Sequence, residues 1–235
     1  MSTHVLESAR KVLNDAIVDY RGEPTGTLAA VDDSAETVNY DQVFTRDFAV
    51  SAFAFLLEGR TEIVKNFLLQ AVELQSREKH FDCFRASRGL MPASFKIEKN
   101  EHEERIVPDF GEKAIAKVAP VDASFWWIYI LRAYVKAAGD PLHTRPEVQE
   151  SIRLILDLAL TPRFDMLPTL LVPDGSFMID RRMGVYGHPL DIQALFYIAL
   201  RSSYELLEEN ETNQPYRHGV RERLGHLTYH MRHYY

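Results

Sequence analysis

Apolar positions fall along this chain in two textures, and they alternate. Val5, Leu6, Ala9, Val12, Leu13, Ala16, Ile17 and Tyr20 follow steps of one, three and four, which predicts an amphipathic helix over about 4–20 with a core-facing stripe, ended by Gly22, Pro24 and Gly26. Residues 47–57 read differently: alanine and phenylalanine dominate, no charged face is visible, and Gly59 is placed to cap the end. Thr61 is then placed to cap an amphipathic helix from Glu62 to about Arg77, with its stripe at Ile63, Phe67, Leu68, Ala71 and Leu74. That sequence of textures predicts one helix buried on most sides followed by one that covers it.

The arrangement recurs. An apolar helix is expected from Asp122 to about Ala138, stopped by Gly139 and Pro141, with an amphipathic partner from about Pro146 to Leu160. A third apolar helix is expected from Pro189 to about Leu207, and a third partner from about Pro215 to Tyr235. Each apolar helix is preceded by a long stretch without helical periodicity. The stretch after Leu160 contains Pro162, Pro168, Pro173 and the turn pair Asp174-Gly175, which leaves room for a short hairpin. Three units of loop, apolar helix and amphipathic helix predict an all-α fold of helical hairpins around an axis, inner helices lined by outer ones. A plain bundle with decorative loops is the alternative. In the hairpin arrangement every long loop lies before an inner helix, so all three open on one end and build a single site there.

Composition narrows the class. The 235 residues are enough for one large domain, and the formal charge of −7 argues against a general phosphate-neutralising surface, so no nucleic acid partner is expected. Cys83 is the only cysteine, which rules out an intrachain disulfide and a cysteine-based zinc site. It reads as a small core residue, with a redox-sensitive thiol as the other option. No run approaches the roughly 20 apolar residues of a membrane span and the N-terminus has no signal-like pattern, so no membrane partner and a cytoplasmic address are expected.

The ends of the loops carry the candidate chemistry. They supply Tyr40, Asp41, Arg46 and Asp47, then Asp122, Trp126 and Trp127, then Asp180, Arg181, Arg182, Tyr186, His188, Asp191 and Gln193. Acids, arginines, an amide and flat rings suit a sugar, whose hydroxyls need donors and acceptors and whose C–H face packs on a ring. Each residue also has a plain structural reading. Asp47, Asp122 and Asp191 sit where helix caps sit, and Arg181 and Arg182 serve equally in salt bridges. Adjacent Trp126 and Trp127 point about 100° apart on a helix, so one belongs to the core and the other is available as a platform. The nine histidines show no metal-ligand spacing, and neither metal nor cofactor is expected.

Longer strings carry a resemblance. Asn-Tyr-Asp-Gln-Val-Phe-Thr-Arg-Asp-Phe (39–48), Glu-Ile-Val-Lys-Asn-Phe-Leu-Leu (62–69), Met-Pro-Ala-Ser-Phe-Lys (91–96), Val-Ala-Pro-Val-Asp-Ala-Ser-Phe-Trp-Trp (118–127) and Ile-Asp-Arg-Arg-Met-Gly-Val-Tyr-Gly-His-Pro-Leu-Asp-Ile-Gln-Ala-Leu-Phe (179–196) resemble the alkaline/neutral invertases, glycoside hydrolase family 100. The resemblance implies an (α/α)6 barrel in the cytosol, no cofactor, and hydrolysis of sucrose to glucose and fructose with inversion, that is, an inverting β-fructofuranosidase. It places the general acid at Asp180, and sugar contacts at Tyr40, Arg46, Asp47, Asp122, Trp126, Arg181, His188 and Gln193. Apolar Ile179 beside Asp180 disfavours its ionised form and the neighbouring arginines favour it.

The family's general base is a glutamate in the C-terminal half, which is absent here. Residues 1–235 then read as the N-terminal half of a single catalytic domain, apparently truncated, with three inner and about four outer helices. The expected partners are sucrose or a related small sugar and the missing half of the barrel, with a homo-oligomer as a further option for covering exposed apolar flanks. Two rivals remain open: a non-catalytic, sugar-binding or partner-dependent half barrel, and another (α/α)6 glycosidase of trehalase-like or glucosidase-like specificity.

Overall fold

The computed structural model describes residues 3–30, 40–78, 87–100, 102–112, 120–160, 168–171 and 187–235. These form α1 (Thr3–Asp15), β1 (Ile17–Tyr20), β2 (Glu23–Thr27), β3 (Val43–Phe44), α2 (Thr45–Leu57), α3 (Thr61–Leu74), β4 (Ser94–Lys99), β5 (Glu104–Asp109), α4 (Asp122–Ala138), α5 (Pro146–Ala159), α6 (Leu190–Leu206) and α7 (Gln214–Tyr234). The fold is mostly helical, with two small antiparallel sheets, β1-β2 and β3-β4-β5.

The apolar helices α2, α4 and α6 lie side by side and run parallel. Arg46 at the start of α2 reaches Asp122 at the start of α4, and Phe125 of α4 meets Phe196 of α6 with ring centroids 5.2 Å apart. Further along, Phe53 meets Tyr129, and Arg132 meets Glu205. Outer α3 returns antiparallel behind them, so that the buried Trp127 indole N–H donates to the Leu68 carbonyl at 3.1 Å. Phe48, Phe67 and Phe95 form a continuous run of rings from α2 through α3 to β4. Each such buried ring contributes about 2–3 kcal/mol by leaving water.

Three expectations need correction. The first helix ends at Asp15 rather than near residue 20: Ile17, Val18 and Tyr20 enter a strand paired with β2 through the tight turn at Arg21 and Gly22. Its stripe is also not core-facing, since Val5, Leu6 and Val12 are exposed and only the C-terminal end is tied down, by Arg10 to Glu58 and Arg60 to Asn14. Second, the stretch after Arg77 contains the β4-β5 hairpin, with Phe95 buried on one face and charged residues on the other, so an all-α assignment omits a sheet. Third, Thr61 is the first helical residue of α3 and makes no cap; Arg60 occupies the cap position without a side-chain bond. The Asp174-Gly175 turn of the hairpin expected after Leu160, and Cys83, lie outside the described residues.

The connections differ sharply at the two ends. α2 and α3 are joined by residues 58–60, α4 and α5 by residues 139–145, and α6 and α7 by residues 207–213. Gly139 adopts φ 66°, the left-handed state that lets its N–H close α4 onto Val135. The long connections, residues 75–121 and 160–189, all lead to the starts of inner helices at the other end.

Candidate functional site

The N-terminal ends of α2, α4 and α6 make one mouth, and none of the three is closed by a side-chain cap. Residues 91–93 strap the first two together. Thr45 donates its N–H to the Ala93 carbonyl and its hydroxyl to the Pro92 carbonyl, both at 2.9 Å, while the Met91 N–H donates to the Ser124 hydroxyl at 3.0 Å. Ala93 in turn donates to the Asp109 carbonyl at 2.9 Å, which ties the hairpin to the same strap.

The charged centre of the mouth is the Arg46–Asp122 pair at 2.9 Å, in which Asp122 is 2 % exposed and the Arg46 side chain 25 %. A carboxylate so deeply placed needs its partner, and the half-buried guanidinium supplies it. Asp47, in the first turn of α2, is exposed, and Tyr40 stands at 51 % exposure on the approach. Asp41 pairs with Lys96, whose ammonium it holds above the ordinary lysine range. Trp127 is the core member of the tryptophan pair; Trp126 is half-buried beside Tyr129, with its indole nitrogen buried and unpartnered.

At the end of β5, Asp109 and Glu112 come together. The Asp109 carboxylate accepts the Gly111 N–H at 2.9 Å and Glu112 accepts the Phe110 N–H at 2.7 Å. Desolvation, then the hydrogen bond to Asp109, raises the Glu112 carboxyl above the ordinary glutamate range, so the pair retains a proton more readily than two separate acids would.

The third side of the mouth belongs to α6. His188, one residue before the cap residue Pro189, has Nδ1 2.8 Å from the Thr169 hydroxyl. Gln193, expected at the sugar, is fully buried, and its amide accepts the Leu170 N–H at 2.7 Å and donates to the Leu170 carbonyl at 2.8 Å. Both ends of that amide are engaged by backbone, so in this structure Gln193 holds residues 168–171 against α6. Asp180, Arg181, Arg182 and Tyr186 lie outside the described residues.

Sequence reasoning did not single out Thr169, or the pairing of Asp109 with Glu112. Thr169 sits in an apolar run with no distinguishing neighbour. Asp109 carried a faint signal, an acid-glycine-acid turn at 109–112 following an alternating segment. Among the described residues no group of three or more His, Cys, Asp or Glu side chains is disposed to hold a metal ion, and no helix is long and apolar enough to cross a membrane.

Known relatives match this chain almost end to end. A probable chloroplastic alkaline/neutral invertase A of Arabidopsis thaliana is 53 % identical over 238 residues, covering 98 % of this chain. A mitochondrial neutral/alkaline invertase 1 of Oryza sativa subsp. japonica is 52 % identical over 97 % of the chain, and a cytosolic invertase 1 of the same plant 50 % identical over 98 %. The chain spans 38 %, 38 % and 42 % of their respective lengths. Their names place them in three compartments, so kinship does not choose an address for this chain. With the family model for alkaline and neutral invertase matching residues 9–235, the chain belongs to that family.

Proposed function

We propose that this chain supplies the acid-bearing half of an inverting β-fructofuranosidase that hydrolyses sucrose to glucose and fructose. The observation that carries the reading is the Arg46–Asp122 pair joining the starts of two parallel inner helices, with Asp47, Trp126 and His188 near the starts of all three, in a chain whose family is named for invertase activity. Asp180 is the general acid: it protonates the leaving oxygen while the glycosidic bond breaks. A carboxylate on the opposite face, about 6.5–9.5 Å away, takes a proton from the attacking water, and the fructose carbon inverts. That carboxylate belongs to the rest of the domain, since the chain spans about four-tenths of its relatives' length.

The three inner helices and their outer partners are half of an (α/α)6 barrel in this reading, and the other half covers the apolar side chains left open. Val50 is 72 % exposed and Leu57 89 % on α2, while Leu190 and Ile198 on α6 are 46 % and 36 % exposed. Flanks of this kind are the surfaces a closed ring buries. In the mouth, Arg46, Asp47, Asp122, Arg181 and His188 meet sugar hydroxyls, Tyr40 and Trp126 offer rings, and Gln193 acts through the segment it holds.

The test joins residues 1–235 to the remaining part of a full-length family member. Asp180→Asn is expected to lower kcat for sucrose by about 10²–10⁴-fold with binding retained, the loss typical of a missing general acid. An unimpaired variant ends the assignment, and a retained anomeric configuration in the released sugar ends the inverting mechanism. A sugar panel of sucrose, trehalose, maltose and raffinose separates a trehalase-like or glucosidase-like enzyme. Sugar binding by residues 1–235 without turnover is the outcome expected if the chain needs the other half for catalysis.

A further inference from the structure

We infer that Thr169 and Gln193 are positioning residues that fix the imidazole of His188 and leave its Nε2 edge for the sugar. Residues 168–171 and His188 are tied to each other, to α6 and to the end of α7 by side-chain hydrogen bonds. Gln193, fully buried one turn into α6, grips both backbone groups of Leu170. A planar amide meeting an N–H and a C=O of the same residue fixes that residue's position and its rotation. Its neighbour Thr169 is only 1 % exposed, so its hydroxyl has no water to turn toward, and it meets His188 Nδ1 at 2.8 Å. From the other side, the Tyr235 hydroxyl donates to the His188 carbonyl, which pins the backbone that carries the ring.

Chain geometry makes such a clamp useful. His188 precedes Pro189 and follows Gly187, whose φ of 107° belongs to a backbone that side chains rarely adopt, so the ring stands on a turn rather than on a helix. A ring on a turn has two free torsions unless something holds it. The bond at Nδ1 restrains them, with the hydroxyl donating or accepting according to the tautomer, and Nε2 is left without a partner among the described residues. A ring held in one orientation presents Nε2 to a hydroxyl at one defined place, whereas a rotating ring presents an average. The side chains that do the holding are Thr169 and Gln193, and neither needs to touch the ligand.

This inference rests on the reading of the mouth as a sugar site, and the experiment separates the two. Nitrogen-15 spectra of His188 in residues 1–235 are expected to show two separated ring signals, with Nδ1 displaced by its hydrogen bond to Thr169. Thr169→Val, which keeps the shape and removes the hydroxyl, is expected to collapse that separation, and Thr169→Ser to restore it. Gln193→Met is expected to act in the same direction through the displaced 168–171 segment. In the joined full-length enzyme, Thr169→Val should lower kcat/KM for sucrose about tenfold or more, with Thr169→Ser close to the parent. An unchanged pair of ring signals in Thr169→Val overturns the clamp whatever the enzyme does. Collapsed signals with unaltered sucrose kinetics overturn the positioning role, while sucrose hydrolysis that still depends on Asp180 leaves the proposed function standing.

Discussion

The two ends of the helical array solve the same problem with opposite means. At the end of short connections, side chains close several backbone groups. Gln149, 4 % exposed, donates to the carbonyls of His143 and Leu206 and accepts from the Glu208 N–H and the Asn213 amide, which uses its whole hydrogen-bonding capacity. Arg217 donates to the carbonyls of Tyr204 and Leu207, and Asp140 receives both Lys65 and the Tyr134 hydroxyl at 2.7 Å. At the mouth, the helix starts are held by a backbone strap, one buried ion pair and the grip of Gln193 on Leu170, while Tyr40 and Asp47 stand exposed. One end is built for rigidity, the other for access.

The comparison is most severely tested by breaking the closed end. Gln149→Leu removes a partner from two carbonyls, an N–H and one hydrogen of the Asn213 amide in a largely buried site, and the expected loss is about 3–5 kcal/mol, read as a drop in the urea midpoint of residues 1–235. A second test strikes the mouth. Arg46→Leu leaves the Asp122 carboxylate buried and unpaired; because the arginine is partly exposed, the cost is about 2 kcal/mol rather than the full value for a sealed pair. Adding Asp122→Asn should recover most of it. A larger loss at the mouth than at the closed end would reverse the contrast drawn here.

Acid sharpens it further. At the closed end the Asp140 carboxyl is held below its ordinary range by the Lys65 and Tyr134 hydrogen bonds, and Glu205, bridging α6 to α4, is held down first by Arg132. A lowered carboxyl adds stability above its unfolded pKa and loses it as pH falls through the folded one, so the Glu205 contacts weaken as pH falls below 4.5 and the Asp140 contacts as it falls below 3.8. Glu112 at the mouth has the opposite sign. Its raised pKa makes its contribution full below the unfolded value near 4.5 and lost as pH rises through the folded value. Amide protection, taken relative to the intrinsic exchange rate at each pH, is therefore expected to fall around residues 139–145 on acidification and around residues 110–112 on going toward neutral pH. A common direction at both would contradict the pairings. The smallest effect belongs to the exposed Arg105–Glu98 contact across the hairpin: Arg105→Ala should leave the urea midpoint unchanged.

Much of this architecture could be read in advance, and the reasons are local. Glycine and proline punctuate the chain where helices stop, so α4 and α5 were placed to within a residue at each end from Gly139, Pro141 and Pro146. The first helix was overextended because Ala16, Ile17 and Tyr20 continue its stripe by count, although Ile17 and Val18 are β-branched and favour the strand they occupy. The β4-β5 hairpin alternates Phe95 and Ile97 with Lys96 and Glu98, a period-two signal that lay inside a stretch taken as irregular. At the site, residue types at the helix starts gave the inventory but not the pairings. Arg46 and Asp122 are 76 positions apart and Gln193 and Leu170 23 apart, distances at which no local pattern reports who meets whom.

The parallel, uncapped inner helices have an electrostatic consequence. Aligned peptide dipoles place roughly half a positive charge at each N-terminus, and three of them point into the same opening. Such a field needs no mobile side chain and no reorganisation when charge moves. A neutral disaccharide would feel little of it on arrival, whereas an oxygen gaining negative character as its bond to carbon lengthens would be met by dipoles already oriented toward it.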